Sequence, residues 1–186
     1  MRKIEDILNL VCNFLDENSI EYVIVGGIAV LFYGNPRTTM DIDYVIQFSD
    51  KDIPVLMKFL QENGFYASEN DMRAALLEKS HSTIEDKETM LRLDIKGVYS
   101  ELDERVLRNK KKVRLDDTVI YIASPEDTIA NKLLFSREQD IKDALGIYIR
   151  QYNSLKMEYL ERISKKIGVY EGLLDLKKMY KKYEEK

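Results

Sequence analysis

Apolar residues recur with helical spacing over residues 2–18 (Ile4, Ile7, Leu8, Val11, Cys12, Leu15), which predicts an amphipathic first helix. Residues 20–25 are apolar at nearly every position, the pattern of a central strand covered on both faces. After Gly26-Gly27 the apolar run 27–33 predicts a short helix. Gly34 suits its C-terminal cap, and Asn35-Pro36 prevents continuation. Residues 41–47 read as the next strand, with Asp41, Asp43 and Val45 on one face and Ile42, Tyr44 and Ile46 on the other. Ser49 then suits the cap of a helix over 51–63 that buries Ile53, Leu56, Met57 and Leu60 and ends at Gly64.

Residues 71–80 predict a further helix, and 81–85 with 89–96 a strand hairpin joined by Asp86-Lys87-Glu88. In its second strand Met90, Arg92, Asp94 and Lys96 share one face and Leu91, Leu93 and Ile95 the other. A helix over 99–109 and short strands at 113–115 and 118–123, around an Asp116-Asp117 turn, complete a small sheet. Ser124-Pro125-Glu126-Asp127 is a strong helix start: Ser at the N-cap, Pro at the first position, and an acid at the third that can reach back. That helix is predicted to reach about residue 136. The next covers 137–151 with Ile141, Ala144, Leu145 and Tyr148 as its stripe. Segments 155–167 and 170–183, broken at Gly168, predict a charged α-hairpin packed on the rest, and the last residues read as solvated and frayed. The expected class is α/β (α+β), a small, mixed, mainly antiparallel sheet flanked by helices. One compact unit is expected, with 1–123 as core and 124–186 as a helical C-terminal region.

The candidate chemistry lies in YVIVGGIAVLFYGNPRTTMDIDYVI. Asp41 and Asp43 project from one strand face roughly 7 Å apart along the chain. Carboxylates held side by side repel unless they share a cation, and oxygen-only ligands suit Mg²⁺ or Mn²⁺. Gly26 and Gly27 place free backbone N–H groups at a helix N-terminus, where a phosphate can approach closely. By itself Leu93-Asp94-Ile95 reads as an exposed aspartate on an edge strand. Lys132, at the edge of an apolar stripe, reads as a snorkelling side chain.

Gly26-Gly27 followed at this spacing by Asp41-Ile42-Asp43 in hydrophobic flanks resembles the signature of the nucleotidyltransferase (DNA polymerase β-like) superfamily. The run Arg37-x-Thr39-x-Asp41-x-Asp43 is similar to the minimal, AbiEii-like members, several of which are toxins of toxin–antitoxin pairs. The departure is Gly26-Gly27 where many members have Gly-Ser, which removes a hydroxyl contact to phosphate. The resemblance implies a nucleotidyltransferase fold and transfer of a nucleoside monophosphate from an NTP to a hydroxyl by a two-metal mechanism with Mg²⁺ or Mn²⁺. It implies Asp41, Asp43 and Asp94 as catalytic, metal-binding carboxylates, and Gly26, Gly27, Arg37, Thr39 and Lys132 as nucleotide-binding residues. Asp140 and Asp143 either orient Lys132 from behind or are acids favoured in the first turns of a helix. Arg37 has a second reading, as an ion-pair partner of Asp41 or Asp43 that holds the loop. A tRNA end, a protein hydroxyl and a small molecule such as an aminoglycoside all remain open as acceptor. A non-catalytic NTP-binding or partner-binding module, with a cognate toxin or antitoxin protein, is the alternative.

Composition narrows this a little. The chain of 186 residues, 45% hydrophobic and 33% charged, can bury a core. No apolar run reaches membrane-span length and the chain opens on the first helix, so a cytoplasmic protein without membrane contact is expected. Cys12 lies on an apolar stripe and reads as core packing. His81, the only histidine, reads as a solvated surface residue, which makes a zinc site improbable. Net charge is −4, but residues 105–115 carry six bases and no acid. Such a run is a solvated face or a strip that steers nucleic acid or nucleotide.

Overall fold

The computed structural model describes residues 2–49, 51–115 and 118–185; the expected Asp116-Asp117 turn lies outside them. The chain divides into two compact units. The first holds the residues up to Ile28 together with Thr39–Ala123; the second holds Ala29–Thr38 and the residues from Ser124 onward. This differs from the single unit expected from sequence, and it assigns 29–38 to the C-terminal unit instead of to the core. The reason is visible within the second unit, where Val30, on the helix α2 (Gly26–Tyr33), is wholly buried in the same apolar cluster as Ile129, Ile147, Leu160 and Leu173.

The first unit is built on a six-stranded sheet, β1 (Tyr22–Val25), β2 (Asp41–Ile46), β3 (His81–Glu85), β4 (Arg92–Gly97), β5 (Lys111–Leu115) and β6 (Thr118–Ile122), in the order β3-β4-β2-β1-β6-β5. β2 runs parallel to β4 and β1 parallel to β6, whereas the other three pairings are antiparallel, so the sheet is mixed and mainly antiparallel as expected. Register places Ile24, Ile42, Tyr44, Leu93, Ile95 and Ile122 on one face, and all are buried. Helix α1 (Ile4–Glu17) lies on that face, its Cys12 Sγ 3.7 Å from the Tyr44 hydroxyl. Burial pushes the Cys12 thiol up to about 11, which keeps it protonated and inert.

The opposite face is covered over only part of its length. Val23 and Val45 pair across β1 and β2 and pack with Ala123 against Val106 and Leu107 of α5 (Glu101–Arg108). A capping box between Ser100 and Asp103 starts α5, and Lys96 Nζ reaches Asp103 Oδ1 at 2.7 Å to tie it down. Toward the start of β2 the same face changes from Val45 to Asp43 and Asp41, which are half-buried. Between β2 and β3, α3 (Asp52–Glu62) buries the predicted stripe, and α4 (Glu69–Leu77) is capped by Ser68. Ser49 does not cap α3. Its N–H and hydroxyl both donate to Asp52 Oδ2, at 2.6 and 2.5 Å, so the acid of the first turn reaches back to the serine.

The second unit packs α6 (Pro125–Phe135), α7 (Glu138–Gln151), α8 (Met157–Lys166) and α9 (Tyr170–Glu184) with the end of α2. α9 extends regularly to Glu184, beyond the frayed end expected from sequence. Gly34 is not a left-handed cap. A Cβ there would meet Ile147 Cγ1 at 2.9 Å, so the residue is small because α7 passes close to it. The predicted start of α6 forms as read: Asp127 N–H donates to Ser124 Oγ and Ser124 Oγ to Asp127 Oδ2. It also anchors α8, because the Lys156 N–H donates to Glu126 Oε1 at 2.7 Å and the Tyr159 hydroxyl to Asp127 Oδ1 at 2.9 Å. Ser124→Ala is therefore expected to cost about 1–2 kcal/mol, the upper part of the range for a lost N-cap, in urea denaturation of the full chain.

Candidate active site

Parallel pairing of β2 with β4 sets Asp41 opposite Arg92 and Asp43 opposite Asp94, and antiparallel pairing of β3 with β4 sets Glu85 opposite Arg92 and Thr83 opposite Asp94. Residues opposite one another share a sheet face, so two short rows cross it: Glu85, Arg92, Asp41 and, beside them, Thr83, Asp94, Asp43. All three predicted carboxylates thus lie on one face, in the part that α5 leaves open. Adjacent strands are ~4.8 Å apart, and carboxylates ~5 Å apart repel by about 3 kcal/mol at an effective dielectric of ~20, less where water reaches them.

The side chains relieve that repulsion separately. Arg92 places Nε 2.8 Å and Nη2 2.6 Å from Asp41 Oδ1. The Thr83 hydroxyl donates to Asp94 Oδ1 at 2.6 Å. Among the described residues, no three acidic, imidazole or thiol groups stand together as a ready cation site. The shared face and the all-oxygen donor set nevertheless fit Mg²⁺ or Mn²⁺.

Gly26 makes room for Asp43. Its φ is +62°, and a Cβ there would fall 2.0 Å from Asp43 Oδ2, so any side chain would displace the carboxylate as well as strain the backbone. Gly26 is needed by the acid as much as by any phosphate. Gly27, buried, continues into α2. The Thr39 hydroxyl donates to the Asp41 carbonyl at 3.2 Å and steadies the entry to β2.

In the second unit Lys132 is no snorkelling side chain. Its Nζ lies 2.8 Å from Asp140 Oδ1 and 3.1 Å from Asp143 Oδ2, with 10% of the side chain exposed. Arg37 Nε donates to Asp143 Oδ1 at 3.2 Å, so the loop arginine has Asp143 as its partner where Asp41 or Asp43 was the alternative read from sequence. Arg137 Nε donates to Asp140 Oδ2 at 2.6 Å, and Gln139 to Asp143 Oδ1 at 2.8 Å. Burial alone would push the Asp140 carboxyl up, but the hydrogen bonds and charges of Arg137 and Lys132 outweigh it and hold the group below its usual range. Sequence reasoning missed Arg92, Thr83, Arg137 and Gln139. For the first two the signal was present, because each is placed by strand register directly opposite a candidate acid.

Other features carry less chemistry. A cavity of about 820 Å³ opens at the far end of the same strands, past Gln47 and Gly97, and none of the three aspartates lines it. His81 is exposed on β3. The basic run spans α5 and the edge strand β5, where Lys110 lies 3.7 Å from Glu21 and over the Tyr121 ring. Among the described residues, no helix is long and apolar enough to cross a membrane.

Two outcomes test this geometry. Lys132→Met leaves Asp140 and Asp143 with only their charged edge partners Arg137 and Arg37, and is expected to cost about 3 kcal/mol, the low end for a broken buried pair, in equilibrium unfolding. Asp140 has a folded pKa below its unfolded value, so its contribution is present above about pH 4 and is lost as the pH falls through the folded value. Asp140→Asn should therefore destabilise the protein at pH 7 and lose less further stability than the parent between pH 5 and pH 3 in acid titrations followed by circular dichroism.

The chain matches, over residues 2–186, the family described as "Nucleotidyltransferase of unknown function (DUF6036)". Comparison with curated protein sequences gave no significant match. Solved structures similar in fold include an antigenic nucleotidyltransferase-like protein from Paracoccidioides brasiliensis, 16% identical, with TM-score 0.58 over 92% of this chain and 90% of that one. ANT(2″)-Ia in complex with adenylyl-2″-tobramycin is 12% identical, with TM-score 0.59 over 88% and 95%. The lincosamide antibiotic adenylyltransferase LnuA, lincomycin-bound, is 17% identical, with TM-score 0.50 over 73% and 90%. With a family match that spans almost the whole chain and the fold shared with these structures, the protein belongs to the DUF6036 nucleotidyltransferases.

Proposed function

We propose that the protein transfers a nucleoside monophosphate from an NTP to a hydroxyl acceptor, with the open acidic face of β2 and β4 as its catalytic centre. The observation that carries this reading is the register that brings Asp43 opposite Asp94 on the face shared with Asp41, beside a glycine whose missing Cβ leaves space for Asp43. Asp41, Asp43 and Asp94 would hold Mg²⁺ or Mn²⁺. The bound cations supply Lewis-acid stabilisation of the triphosphate and lower the pKa of the acceptor hydroxyl.

The chain's own groups do the rest. The acceptor oxygen bonds to the α-phosphorus, the bond from that phosphorus to the bridging oxygen breaks, and its electron pair leaves with pyrophosphate. The hydroxyl proton passes to Asp94, whose rotamer Thr83 fixes from the neighbouring strand. Gly26 and Gly27 offer backbone N–H groups to phosphate, and Thr39 holds the segment that leads to Asp41. The resemblance to the superfamily supports a further role for Arg37 and Lys132 in countering polyphosphate charge; within the second unit Asp143 holds both and Asp140 holds the lysine. The adenylyl-tobramycin and lincomycin complexes of the structural relatives support a small-molecule hydroxyl as acceptor. A tRNA end or protein hydroxyl, and a toxin–antitoxin role in the cytoplasm, rest on the likeness of Arg37-x-Thr39-x-Asp41-x-Asp43 to AbiEii-like proteins.

The test separates binding from chemistry. Asp43→Asn is expected to weaken metal-dependent NTP binding in calorimetry. Asp94→Asn should leave NTP affinity within a few fold while single-turnover transfer of label falls about 10²-fold or more. A parent protein that binds NTP tightly but transfers nothing to RNA, protein or small hydroxyl compounds would instead support the non-catalytic module.

A further inference from the structure

The row Glu85, Arg92, Asp41 gives the candidate cation site a feature of its own. Arg92 stands between two carboxylates, one directly opposite on each neighbouring strand, and in this structure its fork lies on Asp41. Glu85 is exposed on the edge strand β3 and on the same sheet face. A guanidinium on a flexible stem can swing from one cross-strand neighbour to the other without any backbone movement, because both lie one strand spacing away. Asp41 Oδ1 accepts both of its N–H groups, so the oxygen engaged by Arg92 is one that a divalent ion would also seek.

The geometry points to Arg92 as a displaceable counter-ion, a positioning residue that occupies Asp41 until a divalent cation arrives and then transfers to Glu85. This rests on the reading of Asp41, Asp43 and Asp94 as the cation site. Before loading, Arg92 offsets the mutual repulsion of the acids and keeps the open face folded without metal. On loading, the cation takes over Asp41, and like charge expels the guanidinium toward the one carboxylate on its other side. The cost of moving Arg92 is set against metal affinity, so the parent protein binds the bare ion more weakly than its three carboxylates alone would.

Mn²⁺ binding to the full chain, followed by electron paramagnetic resonance of the free ion without nucleotide, reads this directly. Arg92→Gln should tighten Mn²⁺ binding at least about threefold, the scale of a partly exposed ion pair. Arg92→Lys, which keeps the charge but not the fork, should lie between that variant and the parent and guards against a folding defect in the glutamine variant. Glu85→Gln should weaken binding in the parent background and have no effect in the Arg92→Gln background, since the carboxylate acts by receiving the guanidinium. Unchanged or weaker binding in Arg92→Gln, with Asp41→Asn still weakening it, would overturn the counter-ion role and leave the cation site standing. If Asp41→Asn leaves Mn²⁺ binding unchanged in both backgrounds, the cation site itself is wrong, and the counter-ion role falls with it.

Discussion

Like charges on one sheet face are the constraint on which this structure turns. A carboxylate on each of two adjacent strands, and a second two residues along one of them, would destabilise a sheet with no means of offsetting them. The protein meets this in three local ways: an arginine two residues before Asp94 in β4 that reaches Asp41, a threonine on β3 that binds Asp94, and a glycine that lets Asp43 settle against the β1–α2 turn. α5 shields the apolar half of the face through Val45 and Val106 and stops short of the acids. The same arrangement that stabilises the fold without metal therefore leaves an open, negatively charged strip suited to a cation.

The second unit handles its buried charge differently. Lys132, Asp140 and Asp143 are largely removed from water, and each charge is compensated by more than one partner, with Arg37 and Arg137 closing the network at its edges. Removing one member leaves its neighbours with fewer compensating charges where water screens them little, so the loss is felt by the whole network. The lysine is thereby held in one place between the two aspartates.

Much of this was legible in the sequence where the signal is local. Period-two alternation placed Asp41 and Asp43 on one face and flanked Asp94 with buried Leu93 and Ile95, and Ser124-Pro125 marked the start of α6. The pairing of Asp94 with the other two acids came from the family resemblance, since the residues alone read as an edge strand and β4 lies inside the sheet. What was hidden depends on pairing between distant segments. Arg37 and Asp143 are 106 positions apart, and no local pattern distinguishes Asp143 from Asp41 as the arginine's partner. Gly34 looked like a cap because glycine often is one, whereas its smallness answers to Ile147 on a helix far along the chain. Arg92 was visible on the face of Asp94, but its role required knowing that β4 runs parallel beside β2 in this register.

Whether this face takes up cation and nucleotide can be read from a crystal structure with Mn²⁺ and a non-hydrolysable NTP analogue, using the anomalous signal of the metal. Anomalous peaks are expected within coordination distance of Asp41 and Asp43, with the triphosphate against Gly26 and Gly27 and Asp94 turned toward the same ions. Peaks confined to other acidic side chains, with the open face of β2 and β4 bare, would contradict it.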